Sequence, residues 1–154
     1  MQRVAHRAGV SVATFHRRFP GRDAIVAELA EQALRELVDT FGELARTTPA
    51  DRALEGALRV VAAESVVTRA CTPGHRDRFP ERALALDEHL HRELSGLLTN
   101  AQADGRIAAA VTAQDLRLVT TAVTAAASAP EAAEAGRAAQ RTVTHFMRSF
   151  RRVG

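Results

Sequence analysis

Apolar residues recur three and four positions apart through five long stretches of the chain, and this spacing predicts five long helices. The first runs from about Arg22 to Arg46 and ends at Thr47-Thr48-Pro49. The others run from about Ala50 to Ala70, from about Glu81 to Ala103, from Thr112 onward, and from about Glu131 to Arg151. In each stretch the apolar positions fall on one face of a helix. The pattern therefore predicts an all-α body.

Ahead of these stretches, the chain up to Gly21 predicts two short helices joined by a tight turn. Gly9 ends the first, because glycine adopts the left-handed backbone of a helix end without steric cost. Ser11 is a favourable N-cap for the second helix, which Pro20-Gly21 ends. Two short helices across a glycine-containing turn are typical of a helix-turn-helix head.

This head has a face for packing and a face for contact. The residues expected to pack the two short helices together are Ala5, Val10, Phe15 and Phe19. The residues left to face outward are Ser11, Val12, Ala13, Thr14, His16 and Arg17. The small side chains from Ser11 to Thr14 would let the second helix approach the base edges of a major groove closely.

Composition and charge sharpen this picture. Hydrophobic residues make up 46% of the chain but aromatics only 4%, and the prevalence of Ala and Leu favours helices. The net charge is only +3. It is uneven, because five arginines and no acid lie between Met1 and Arg22. A basic head indicates contact with phosphate, although a solvated Arg-rich face would show the same charge.

The head resembles the TetR family of bacterial regulators. The residues that carry the resemblance are Val4-Ala5, Ala8-Gly9-Val10-Ser11, Ala13-Thr14, Phe15-His16, Phe19-Pro20, Arg22 and Ala24-Ile25. The resemblance places Arg22 where the family has a basic residue that grips a phosphate, and His16 where it has Tyr. It implies a helix-turn-helix head over 1–25, a connecting helix over 26–46, and a ligand-binding and dimerisation domain over 47–154.

The same resemblance implies a dimeric, ligand-responsive repressor that a small-molecule inducer releases from operator DNA. The DNA-binding residues would be Ser11, Val12, Ala13, Thr14, His16, Arg17 and Arg22. Met1 falls where family members have an internal residue, and the family's first helix is expected to be missing. The alternative is therefore a helical small-molecule-binding dimer that no longer binds DNA.

Apolar stripes of the long helices supply candidates for a ligand pocket and for a dimer interface. The pocket candidates are Phe41, Leu58, Val61, Ala62, Leu90, Leu94, Val119 and Val123. The interface candidates are Leu116, Val119, Val123, Ala135, Ala139, Val143, Phe146 and Phe150. Both sets would also fit a plain monomer core. The scarcity of charge on these stripes favours an apolar ligand.

Other chemistries find little support. Asp87 and His91 share a helix face, but a solvated face is favoured over a metal site, and His89 points elsewhere. We expect no cofactor and no enzyme, because no base lies oriented beside a nucleophile and no Gly-rich loop follows a strand. A single cysteine excludes an intrachain disulfide, and the longest apolar runs are too short to span a membrane, so we expect a cytoplasmic protein.

Overall fold

Six helices build the chain in the computed structural model, which describes residues 6–7, 9–71, 80–128 and 131–151, without the side chains of residues 22 and 66–71. They are α1 (Val12–Arg18), α2 (Arg22–Thr47), α3 (Ala50–Cys71), α4 (Pro80–Ala103), α5 (Ala113–Ala126) and α6 (Ala132–Phe150). The prediction of an all-α fold with five long helices is confirmed, and the ends of these helices agree with the predicted breaks.

The chain divides into two compact units, Met1–Leu34 and Arg35–Gly154. The boundary lies within α2, so this helix contributes its first half to the head unit and its second half to the body unit. In the head unit the buried apolar side chains are Phe15, Ala27 and Leu34. The predicted division at residues 25 and 46 stays a prediction.

The body unit has one apolar core at the centre of its helices. Helix α3 packs against α4, α5 and α6, and α5 packs against both α4 and α6. The largest fully buried side chains are Leu54, Leu58, Leu94, Ile107, Leu116, Met147, Val119, Val123 and Val143. Burying an aliphatic side chain of this size contributes about 1.5–3 kcal/mol, so the stripes read from the sequence hold the body together.

The start of α5 is set by a capping box between Thr112 and Asp115. The Asp115 N–H donates to Thr112 Oγ1 at 3.3 Å, and the Thr112 N–H donates to Asp115 Oδ2 at 2.7 Å. The Thr112 side chain and then its backbone donate hydrogen bonds that hold the pKa of the Asp115 carboxyl below its usual value. This pair fixes the residue at which α5 begins.

A polar cluster joins α3 to α6; we call it the Glu55 cluster, made of Asp51, Glu55, Arg59 and Arg151. Arg59 Nη2 and Arg151 Nη2 lie 2.8 Å and 2.6 Å from the two Glu55 carboxylate oxygens. Arg151 Nε also lies 3.6 Å from Asp51 Oδ2. Because α3 and α6 are far apart in sequence, these contacts tie the end of the chain to the core.

His91 is buried, so the expectation of a solvated face is wrong for this residue. Only 6% of His91 is exposed. Its Nδ1 lies 2.7 Å from the Asp87 carbonyl oxygen, and its Nε2 lies 2.9 Å from Thr120 Oγ1 on α5. Asp87 in turn accepts a hydrogen bond from Arg117 at 3.1 Å. A polar group is stable inside a core when it is hydrogen-bonded, and here α4 supplies one partner, the Asp87 carbonyl, and α5 the other, Thr120.

Within the described ranges, no three His, Cys, Asp or Glu side chains come together as a metal site. None of the helices in those ranges is both long enough and apolar enough to cross a membrane.

Candidate nucleic-acid interface

The turn before α1 is built by three consecutive residues of the head. Gly9 has φ +67°, and its N–H donates to the His6 carbonyl oxygen at 3.2 Å. This left-handed backbone favours glycine, because an L side chain would be strained there. Ser11 follows in extended conformation and caps α1, since its Oγ accepts the Thr14 N–H at 3.1 Å. The local sequence therefore sets the direction in which α1 starts.

One face of α1 anchors it and the opposite face is open. Phe15 is only 7% exposed, and its ring centroid lies 5.2 Å from that of Phe19. The Phe19 N–H donates to the Phe15 carbonyl oxygen at 2.8 Å and closes the last turn. The predicted contact residues of this segment are all exposed: Ser11, Val12, Ala13, Thr14, His16 and Arg17. The aromatic pair thus turns these six side chains outward.

The expected packing role of Val10 is wrong. Val10 is 41% exposed, whereas Phe15 alone among the α1 side chains is buried. Val10 lies in the turn between Gly9 and Ser11, and the turn places its side chain at the outer surface. Ala5, the fourth residue expected in this contact, lies outside the described residues.

A concave open surface runs along α1 and is lined by Thr14, Arg17, Arg18 and Glu28. The Arg18 guanidinium lies 5.9 Å from the centroid of the Phe19 ring, close enough for a cation–π contact. The Ser11 hydroxyl donates to Thr14 Oγ1 at 2.8 Å. A guanidinium such as that of Arg17 can bind a phosphate or the O6 and N7 acceptors of guanine.

Sequence reasoning missed two residues of this surface, Arg18 and Glu28. Arg18 lies four positions after Thr14, so the helical period alone would have placed it on the same face. Glu28 belongs to α2, and only the fold brings it beside α1. The side chain of Arg22 lies outside the described residues, so its phosphate contact stays a prediction.

The predicted pocket residues come together in the body core. Seven of them are buried in one cluster and Leu90 packs against it, partly exposed. The seven are Phe41, Leu58, Val61, Ala62, Leu94, Val119 and Val123. A cavity of about 30 Å³, room for roughly one water, is lined by Ala45, Ala50, Ala53, Leu97 and Asn100, none of which is a pocket candidate. A ligand among the seven would have to move their side chains apart.

All of the predicted dimer residues except Ala135 lie in or against that same core. Seven are at most 6% exposed within the single chain: Leu116, Val119, Val123, Ala135, Ala139, Val143 and Phe150. Phe146 packs against the cluster and is partly exposed. Because α5 and α6 use these side chains on each other and on α3, a second subunit would meet the other faces of the two helices. On α5, that outer face carries Leu118, which is 56% exposed.

Comparison with known proteins agrees with this anatomy. Residues 1–29 match the sequence model of the bacterial regulatory proteins of the tetR family. The fold is similar to that of the TetR transcriptional regulator SCO0520 from Streptomyces coelicolor, with a TM-score of 0.73 and 21% identity over 99% of this chain and 87% of that one. It is also similar to the TetR-family regulator PfmR from Thermus thermophilus, with a TM-score of 0.63 and 19% identity over 96% of this chain and 86% of that one. No curated protein sequence matches the chain.

The fold and the exposed face of α1 define an all-α protein with a helix-turn-helix head. The head matches the tetR family in sequence, and the chain has the fold of a TetR-family transcriptional regulator. The resemblance read from residues 4–25 is confirmed.

Proposed function

We propose that the protein is a homodimeric repressor that binds operator DNA through α1 and releases it when a small molecule enters the body. The observation that carries the proposal is that α1 and its N-cap Ser11 bury Phe15 and expose all six contact residues. A short helix anchored by one aromatic side chain can enter a major groove with its open face. This surface favours a DNA-binding regulator over the alternative, a small-molecule-binding dimer that no longer binds DNA.

Electrostatics supports DNA as the partner of the head. Arg17 and Arg18 lie side by side on the concave surface of α1. Each Lys or Arg that neutralises a phosphate releases counterions, so binding weakens steeply as salt rises. By resemblance, Arg22 adds a further phosphate contact.

The proposed inducer is a small apolar molecule held among the predicted pocket residues. These side chains carry no charge, and three of them, Leu58, Val61 and Ala62, belong to α3. The only polar side chains among the buried residues of α4 and α5 are His91 and Thr120, and they are hydrogen-bonded to each other. A ligand that occupies this cluster would favour a body conformation in which DNA binding is weaker, which is a shift of population.

The proposed dimer forms through the outer faces of α5 and α6, because their inner faces are used within the chain. Leu118 is the anchor on α5, with Ala122 and Ala125 beside it on the helix. Symmetric operators are read by two-fold dimers, which suits a repressor. Replacing Leu118 with Glu is expected to lower the sedimenting mass to that of a monomer at micromolar concentration. An unchanged dimer would place the interface elsewhere.

The test of DNA binding starts from duplexes that the protein selects out of a random library. Arg17→Ala should weaken binding to the best duplex and reduce the slope of log K against log[salt] by about 0.9, one phosphate contact. Arg46→Ala is the matched control, because Arg46 is an exposed arginine of the body paired with Glu43. Failure of the wild type to select any duplex, or equal salt slopes for the two variants, would refute the proposal.

A further inference from the structure

We infer that the head selects operators that carry thymine at the base pairs facing an apolar patch made of Val10, Val12 and Ala13. This inference rests on the proposed DNA-binding function and assigns a base to that site. It concerns what the exposed side chains of the head can recognise, as distinct from how the arginines hold phosphate.

The patch is unusual for its exposure. Val10 is 41% exposed and Val12 is 42% exposed, and Ala13 is exposed beside them. Among the residues that the structure describes, the other exposed large hydrophobic side chains are Leu29, Leu84 and Leu118. The two valines thus place branched aliphatic groups in water within three positions of each other along the chain, and Val12 is one of the residues proposed to meet DNA.

The Ser11 hydroxyl, which lies between Val10 and Val12 in the sequence, is engaged in local structure. The Ser11 hydroxyl donates to Thr14 Oγ1 at 2.8 Å and its oxygen accepts the Thr14 N–H at 3.1 Å. These bonds cap α1 and hold Ser11 against it. The side chains of Val10, Val12 and Ala13, in contrast, offer a base only methyl groups.

Base chemistry selects the partner of these methyl groups. In the major groove, adenine, guanine and cytosine present polar hydrogen-bonding groups, whereas thymine adds a C5 methyl. An aliphatic side chain gains nothing from the polar edges but buries apolar surface against that methyl. Arg17 and Arg18, in the same helix as Val12 and Ala13, favour a polyanion over an apolar protein surface. Thymine in DNA fits both the exposed aliphatic side chains and the positive charge of the two arginines.

The experiment compares duplexes that differ only in this methyl. The best duplex from a random library is made once with thymine and once with uracil, which pairs identically but lacks the C5 methyl, and both are titrated by fluorescence anisotropy. One lost methyl contact should weaken binding about fourfold, and two symmetric contacts about sixteenfold. Single uracil substitutions then locate the contacted base pair.

Two variants show whether the patch is responsible. Val12→Ala should bind thymine DNA more weakly and lose most of the difference between thymine and uracil DNA. Alanine is a better helix former than valine, so this loss would not come from unfolding of α1. Leu29→Ala removes another exposed aliphatic side chain, from α2, and should keep the full difference.

The outcomes separate the two hypotheses. Equal affinity of the wild type for thymine and uracil DNA would overturn the thymine inference and leave DNA binding standing. A difference that survives unchanged in Val12→Ala would also overturn it, because uracil would then act through DNA shape. If no duplex is selected, the proposed function fails and the inference fails with it.

Discussion

Replacing Glu55 with Gln removes the negative charge that holds the arginines of the Glu55 cluster in place. The Glu55 side chain is 13% exposed and lies 2.8 Å from Arg59, 2.6 Å from Arg151 and 3.3 Å from Arg52. Glutamine has nearly the same shape, so the change tests the charge and leaves the packing in place. We expect the variant to fold, with a lower free energy of unfolding.

The size of the loss follows from the contacts. A hydrogen bond to a charged group contributes about 1.5–3 kcal/mol, and Glu55 makes two short ones. The arginine side chains are 34% to 61% exposed, so water recovers part of this contribution when the carboxylate is lost. We therefore expect a net loss of about 2 kcal/mol at neutral pH.

The pH dependence of this loss has a definite sign. Burial by itself raises the pKa of Glu55, but the hydrogen bond and charge of Arg59, and then those of Arg151, outweigh it and hold the pKa below the usual 4.5. The stability contributed by the carboxylate is therefore complete above 4.5 and is lost as the pH falls through the folded-state pKa. The difference between wild type and Glu55→Gln should be constant from pH 7 to about pH 5 and should shrink at lower pH.

The assay is urea unfolding followed by circular dichroism, because the chain has no Trp or Tyr to report by fluorescence. Glu43→Gln is the matched control, since Glu43 also pairs with an arginine but is 57% exposed. Its free energy of unfolding should stay within about 0.5 kcal/mol of the wild type. A Glu55→Gln loss no larger than that of the control, or one that persists unchanged at pH 3, would refute the reasoning.

Three further substitutions test the cap, the core and the buried polar pair. Ser11→Ala removes the oxygen that accepts the Thr14 N–H and should lower the stability of α1 by about 1 kcal/mol. Hydrogen exchange over residues 12–18 should then be faster, and unchanged exchange would contradict the prediction. Leu58→Ala empties a site that is 1% exposed and should lower the free energy of unfolding in urea by about 2–5 kcal/mol, and a loss below about 1 kcal/mol would show a loosely packed core. Thr120→Val leaves His91 Nε2 without its partner and should lower the free energy of unfolding by about 1–3 kcal/mol. Adding His91→Leu to this variant should restore part of that loss. Strictly additive losses would show that the two side chains act independently.

The helices could be predicted because their signals are local. The bounds of α2, α3 and α4 follow from apolar spacing and from the Pro and Gly residues between the stretches. The Thr112 and Asp115 box is complete within four residues. The Glu55 cluster could not be predicted, because Glu55 and Arg151 are 96 residues apart and only the packing of α3 against α6 brings them together. The burial of His91 depends in the same way on Thr120, 29 residues further along.

The contact surfaces could be predicted only in part, again because sequence signals are local. A periodic apolar stripe shows that a helix face is buried, but it carries no information about whether the neighbour is the same chain, a ligand or a second subunit. Val119 and Val123, for example, fit both the pocket and the interface prediction, and both lie in the core of the single chain. The apolar side chains that a partner can reach are those that remain exposed, such as Leu118 on α5 and Val10 and Val12 in the head. An apolar side chain that stays exposed after folding is stabilised only when a partner covers it. We therefore expect these three residues to contribute to binding.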